Sequence, residues 1–101
     1  RLELEARDLG VMDRIEKRLP VDQEGALLEK VTRGGWAHLG GLRAGDIVLG
    51  INGKPVRKLE DLKTVLSGAA ESGARFLVFF LKRNNTTLYA EVEQEPDVEE
   101  Q

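Results

Sequence analysis

The chain has 101 residues, of which 41% are hydrophobic and 33% are charged, and its formal net charge at pH 7 is −3. This length is typical of a single domain, and the acidic balance gives no reason to expect nucleic-acid binding. The absence of cysteine excludes disulfides, thiol nucleophiles and cysteine metal ligands, and no apolar run reaches the roughly 18 residues that a membrane span needs.

The chain begins with a strand pattern. Residues 1–7 alternate apolar and charged side chains, which predicts a strand that buries Leu2, Leu4 and Ala6.

A short helix is predicted next. Asp8 is a suitable cap for its first turn, and Pro20 ends it. Its apolar residues recur at helical spacing, which predicts that one face is buried; they are Val11, Met12, Ile15 and Leu19.

The middle of the chain contains the most strongly patterned segment. Residues 26–31 predict a strand, and residues 36–42 predict a short helical segment. Residues 47–51 predict an apolar strand that leads into Asn52-Gly53, a dipeptide typical of a tight hairpin turn. Residues 59–66 then predict an amphipathic helix, with Gly68 and Gly73 at its exit.

The last third predicts a hairpin of residues 76–81 and 87–92, with Asn84-Asn85 at the turn. The whole order predicts an α+β fold: a small, partly open antiparallel β-barrel or sandwich of five to six strands, capped by two to three helices. We predict a domain over residues 1–93 and an acidic, disordered tail over residues 94–101.

The sequence shows no constellation typical of catalysis. His38 is the only histidine, so it would have to serve alone as the base for Ser67 or Ser72, or as a transition-metal ligand supplemented only by carboxylates. We therefore predict a non-catalytic binding module without a cofactor or metal.

A binding groove is predicted between the first strand and the helix that begins near Leu59. An unpaired strand edge there could accept an extended peptide as a further strand. The floor would be Leu2, Leu4, Ala6 and Leu66, although each of these could equally be an ordinary core residue.

A family resemblance supports this hypothesis. Residues 34–56, which include Gly41-Leu42-Arg43-Ala44-Gly45-Asp46 and Ile51-Asn52-Gly53, resemble the PDZ consensus of bacterial type. Leu59-Glu60-Asp61-Leu62 is similar to the opening of the groove helix in that family. The final strand, with none before Leu2, resembles the permuted bacterial arrangement, and the chain is most similar to the PDZ domains of Deg/HtrA-type trypsin-like serine proteases.

The resemblance implies a site and a ligand. Residues 1–4 look like the loop that binds a peptide's terminal carboxylate, with the N–H groups of Leu2, Glu3 and Leu4 as donors. The first strand would pair with the peptide, and Leu59 and Lys63 would flank the residue two before its end. The implied peptide-binding residues are Arg1, Leu2, Glu3, Leu4, Glu5, Ala6, Leu59, Lys63 and Leu66. The implied ligand is a C-terminal or unfolded polypeptide segment with a hydrophobic last residue.

One residue departs from the family pattern. Glu3 stands where the family usually has glycine, which restricts the backbone and adds a negative charge beside the ligand carboxylate. A second register, with residues 9–12 as the carboxylate loop, would keep the glycine.

The resemblance also implies a parent protein. It would be an oligomeric serine protease of the periplasm or cell envelope, with its protease domain outside this chain and regulated by it. Two alternatives remain open. One is a PDZ domain of a different parent, which would be an intramembrane metalloprotease, a tail-processing peptidase or a secretion scaffold; the other is a PDZ domain with a vestigial groove that makes oligomer contacts.

Overall fold

The computed structural model describes residues 2–94, which form six strands and three helices around one core. The strands are β1 Leu4–Asp8, β2 Ala26–Val31, β3 Ile47–Ile51, β4 Lys54–Pro55, β5 Phe76–Arg83 and β6 Thr86–Glu93; the helices are α1 Val11–Glu16, α2 Trp36–Leu39 and α3 Leu59–Ser72.

The strands form one antiparallel sheet in the order β1-β2-β3-β5-β6, and β4 pairs with β3. The sheet does not close, so β1 and β6 are its edges. This confirms the predicted small α+β fold in its partly open form. Within the described part of the chain, no helix is long and apolar enough to span a membrane.

The two tight turns follow from residues that tolerate a left-handed backbone. Asn52 and Gly53 have φ of 52° and 80°, and Asn84 and Asn85 have φ of 51° and 63°, as the favoured two-residue hairpin turns require. The Asn52 side chain also accepts a hydrogen bond from the N–H of Val78 at 2.8 Å. The first turn is thereby joined to β5.

The core lies between α3 and one face of the sheet. Its largest fully buried side chains come from β2, β3, α3 and β5 and from the segment before β3; they include Leu28, Leu42, Ile51, Leu62, Leu77, Phe79 and Leu81. Aliphatic residues therefore make most of the core, because only Phe79 among the five aromatic residues is fully buried.

Helix α3 extends further than its pattern predicts. It continues through Gly68 and ends at Ser72, where Gly73 takes a left-handed conformation with φ of 76°. Ala69 packs against the core, which makes an additional turn favourable beyond the predicted exit.

The prediction for α1 is wrong in three respects. Val11, Met12 and Ile15 are 74%, 62% and 63% exposed rather than buried, and the helix ends at Glu16, before Pro20. Asp8 does not cap it, since the N-cap residue is Gly10.

Polar contacts hold α1 in place instead. Asp13 is buried, and its carboxylate accepts two hydrogen bonds from Arg7 at 2.7 and 2.9 Å and one from the N–H of Gly10 at 2.7 Å. These bonds, first that of Arg7 and then that of Gly10, lower the pKa of Asp13 to about 2. An ion pair between β1 and α1 thus replaces the expected apolar face.

The last described residue, Gln94, is packed onto the domain. Gln94 is buried, and its N–H donates to the C=O of Arg75 at 2.9 Å. The rest of the predicted tail, residues 95–101, lies outside the described residues, as does Arg1.

Candidate functional site

The candidate site is the surface between β1 and α3, which we call the groove. β1 pairs with β2 on one side only, from Leu4 opposite Val31 to Asp8 opposite Ala26. Its other side is a sheet edge. An edge strand presents N–H and C=O groups on which a further strand can pair, and α3 contacts β1 and β2 beside that edge.

The side chains of β1 alternate as the sequence predicts. Leu4 and Ala6 are half-buried against the core, whereas Glu5 is exposed. Leu2, just before the strand, is 7% exposed. The face of β1 toward α3 is therefore apolar, and Leu2 is more nearly a core residue than a groove residue.

Helix α3 supplies the opposite wall. Leu59 and Leu66 are half-buried and pack against the same core as Leu4 and Ala6, and Val65 does so as well. Lys63 is exposed one turn after Leu59. The predicted leucines of β1 and α3 thus share one apolar cluster.

One contact fixes the spacing between the two walls. The carboxylate of Asp8, at the end of β1, accepts a hydrogen bond from the N–H of Leu59, the first residue of α3, at 2.7 Å. A carboxylate is favoured at a helix N-terminus, because that end carries unpaired N–H donors and a partial positive charge. Sequence reasoning missed this role, since nothing local links residues 51 positions apart.

The loop before β1 is held by the segment that leads into α2. The N–H of Thr32 donates to the C=O of Glu3 at 3.0 Å, and the N–H of Ala37 donates to the C=O of Leu2 at 3.3 Å. In a trans peptide the N–H points opposite to the C=O. The N–H groups of Glu3 and Leu4 therefore point away from this segment, to the other side of the loop.

Glu3 has a left-handed backbone conformation, which glycine adopts more readily than glutamate. Its φ is 61°. This left-handed value costs about 1 kcal/mol for residues other than glycine, asparagine and aspartate. Its side chain lies against Gly35, where an added Cβ would collide with the Glu3 carboxylate. The loop thus keeps its left-handed backbone without glycine, and the carboxylate is directed toward α2.

The alternative register is wrong on topological grounds. Residues 9–12 follow β1 and lead into α1, and the next strand, β2, has neighbours on both sides. An interior strand has no free edge for a peptide. Residues 2–4, in contrast, stand directly before β1, an edge strand that borders α3.

Comparisons with known proteins identify the family and the fold. A family model described as the PDZ domain matches residues 28–78. A search of curated proteins gave no match.

Several solved structures share the fold. The PDZ domain of HtrA3, bound to a phage-derived ligand, aligns with a TM-score of 0.72 at 19% identity, covering 94% of this chain and 84% of that one. AlgW, an HtrA-type protease with a decapeptide, aligns with a TM-score of 0.75 at 22% identity over 92% of this chain. A variant of AlgW with a decapeptide gives 0.74 at 21% identity over 96%. The chain spans only 28% and 30% of these two AlgW chains.

Proposed function

Because this chain belongs to the PDZ domain family, we propose that it binds extended polypeptide segments, C-termini above all, by adding them as a strand to β1. The observation that carries this proposal is the free edge of β1 beside the apolar wall of α3. Backbone pairing along β1 would supply affinity, and the side chains of the two walls would supply specificity.

We propose that the loop of residues 2–4 binds the terminal carboxylate of the ligand. The N–H groups of Glu3 and Leu4 point away from the segment that holds their carbonyl partners, which leaves them directed to the side where a ligand would lie. The proposed donors also include the backbone N–H of Leu2, and the side chain of Arg1 would add a positive charge. Backbone donors of this kind bind carboxylates strongly, since charge-assisted hydrogen bonds are about twice as strong as neutral ones.

The side-chain pockets follow from the walls. Leu2, Leu4, Ala6 and Leu66 would surround the last side chain of the ligand, which favours an aliphatic residue there. Leu59 and Lys63 would flank the residue two positions earlier, and Glu5 would lie on the pairing strand. β1 has five residues, so it offers pairing for a ligand of comparable length.

For the parent protein we propose a serine protease of the cell envelope in which residues 1–93 recognise substrate or activator segments. The support is the shared fold with HtrA3 and AlgW domains whose structures contain peptide ligands. The chain's partners would then include its own protease domain in an oligomeric assembly. A different parent, or a groove that only makes oligomer contacts, remains the alternative.

A library of C-terminal peptides tests the proposal. Each peptide is made as a free acid and as an amide, and binding is followed by backbone chemical shifts of the isotope-labelled domain. We expect free acids with a hydrophobic last residue to bind, to shift residues 2–8 and 59–66, and to bind at least about tenfold more tightly than the amides. Binding weaker than about 1 mM throughout the library would favour the vestigial-groove alternative.

Replacement of Glu3 by glycine is expected to tighten free-acid binding about threefold, because it removes a negative charge near the ligand carboxylate. It also removes the cost of a left-handed backbone at a residue other than glycine, which raises the stability of the domain rather than its affinity, because the ligand-free loop already has this conformation. Glu3→Gln is the control, since it removes the charge and keeps the backbone restriction. We expect a similar gain in affinity from Glu3→Gln; weaker binding by Glu3→Gly would mean that the Glu3 side chain itself contacts the ligand.

A further inference from the structure

A second concave site lies away from the groove. It is a cavity of about 580 Å³, which we call the basic cavity, formed where the end of α1, the turn before β3 and the β5–β6 hairpin meet. Five of its lining residues are cationic and two are acidic: Lys17, Arg18, Arg43, Lys82 and Arg83 against Glu16 and Asp46. None of the predicted groove residues borders it.

One acidic residue of the cavity is already neutralised. The carboxylate of Asp46, which is 1% exposed, accepts hydrogen bonds from two nitrogens of Arg83 at 2.7 and 2.8 Å. This pair contributes no net charge to the surface. The remaining four cations therefore face a single carboxylate in the lining, that of Glu16.

Two of those cations are held by neutral acceptors. The ammonium group of Lys82 donates to the side-chain oxygen of Gln23 at 2.8 Å, and the guanidinium of Arg43 donates to the C=O groups of His38 and Leu42 at 3.0 and 2.8 Å. Neutral acceptors restrict a side chain without cancelling its charge. Within residues 2–94, no carboxylate lies within salt-bridge distance of these two cations or of Lys17 and Arg18.

We propose that the basic cavity is a second polypeptide-binding site, which takes an extended acidic segment of a partner protein. Charge complementarity supports an anionic occupant, and the net charge of −3 on the whole chain means that the attraction arises locally. Its volume falls within the range of about 300–1,000 Å³ that is usual for ligand sites and far exceeds what one phosphate ion fills. The lining also contains the amide side chains of Asn84 and Asn85 and the apolar Leu19. Amides can pair with a peptide backbone, and an apolar residue can contact the methylene groups of its side chains, so this lining suits a peptide better than a compact polyphosphate.

Titration with acetylated, amidated hexaglutamate tests this site independently of the groove. This probe has no terminal carboxylate, so the carboxylate loop of residues 2–4 is not its target. We expect the chemical shifts of residues 16–19, 43–46 and 82–85 to change and those of residues 2–8 and 59–66 to stay the same. The affinity for hexaglutamate should fall as the salt concentration is raised.

A double variant and a matched control identify the charges. Lys17→Gln with Arg18→Asn is expected to weaken hexaglutamate binding at least about fivefold; asparagine is chosen because the φ of Arg18 is 55°. Lys30→Gln with Lys54→Gln removes the same charge from exposed positions outside the cavity and should change affinity less than about twofold. If the first pair does not fold, Arg43→Gln replaces it with the same expectation.

Three results would overturn the proposal. The first is no shift of the cavity residues at about 1 mM hexaglutamate. The second is an equal loss of affinity in the control pair, which would indicate a general charge effect. The third is tighter binding of tripolyphosphate than of hexaglutamate at the same residues, which would assign the cavity to small polyanions rather than to a polypeptide.

Discussion

Replacement of Arg83 by alanine is expected to destabilise the domain by about 3–5 kcal/mol, because it leaves the carboxylate of Asp46 buried without its counter-charge. Asp46 is 1% exposed and would keep only the hydrogen bond from the N–H of Arg43, at 2.9 Å. The C=O of Gly41 would also lose the donor that it has in Arg83 at 2.7 Å. Urea unfolding at neutral pH measures the loss, which is a large share of the about 5–15 kcal/mol typical of small domains.

A second arginine provides the matched control. Arg75, just before the same strand, pairs with Glu93 at 3.0 Å, but its side chain is 69% exposed. Arg75→Ala should therefore cost less than about 1 kcal/mol.

Asp46→Asn in the Arg83→Ala background tests the mechanism. It removes the buried charge and keeps an acceptor for the N–H of Arg43, so it should restore part of the lost stability. A double variant as unstable as Arg83→Ala alone would mean that packing of the guanidinium, rather than charge, accounts for the effect.

Local patterns predicted most of the fold, because its strands and turns are determined by short segments. Alternation along residues 1–7 indicated β1, although the strand begins only at Leu4, and Asn52-Gly53 indicated its hairpin turn. Local patterns could not predict the burial of Asp46, since its arginine partner lies 37 residues away on β5. The sequence pattern gave no sign that the turn of residues 41–46 is held by an ion pair with a buried carboxylate.

Helix α1 shows how a correct local pattern leads to a wrong tertiary prediction. Val11, Met12 and Ile15 have helical spacing and do lie on a helix, but nothing in that spacing says what covers them. Asp13, a charged residue outside that apolar pattern, is the residue that anchors the helix. In this helix of six residues, one ion pair with a buried carboxylate holds the helix, whereas the short apolar face stays exposed.

The candidate site was only partly predictable for a related reason. Residue types indicated which side chains could form the groove, and the structure brings Leu4, Ala6, Leu59 and Leu66 into one cluster. The free edge of β1 depends on sheet order, and the direction of the loop N–H groups depends on contacts with residues 32–37. The roles that we assign to these residues remain proposals.

Leu4→Glu is expected to lower the affinity for free-acid peptides at least about tenfold, while the domain stays folded. Leu4 is half-buried on the face of β1 toward α3. A carboxylate there would replace apolar contact with the ligand's last side chain and would repel its terminal carboxylate. We expect a stability loss of about 1–3 kcal/mol, because Leu4 lies at the margin of the core and not within it.

Ile15→Glu is the control that separates the groove from a general effect of acidic substitution. Ile15 is 63% exposed on α1, so the same change of charge should alter neither peptide affinity nor stability by more than about 0.5 kcal/mol. Thermal unfolding and peptide titration are run on both variants. Retained affinity in Leu4→Glu would place peptide binding elsewhere on the domain, because a ligand paired along β1 beside α3 could not avoid the new carboxylate.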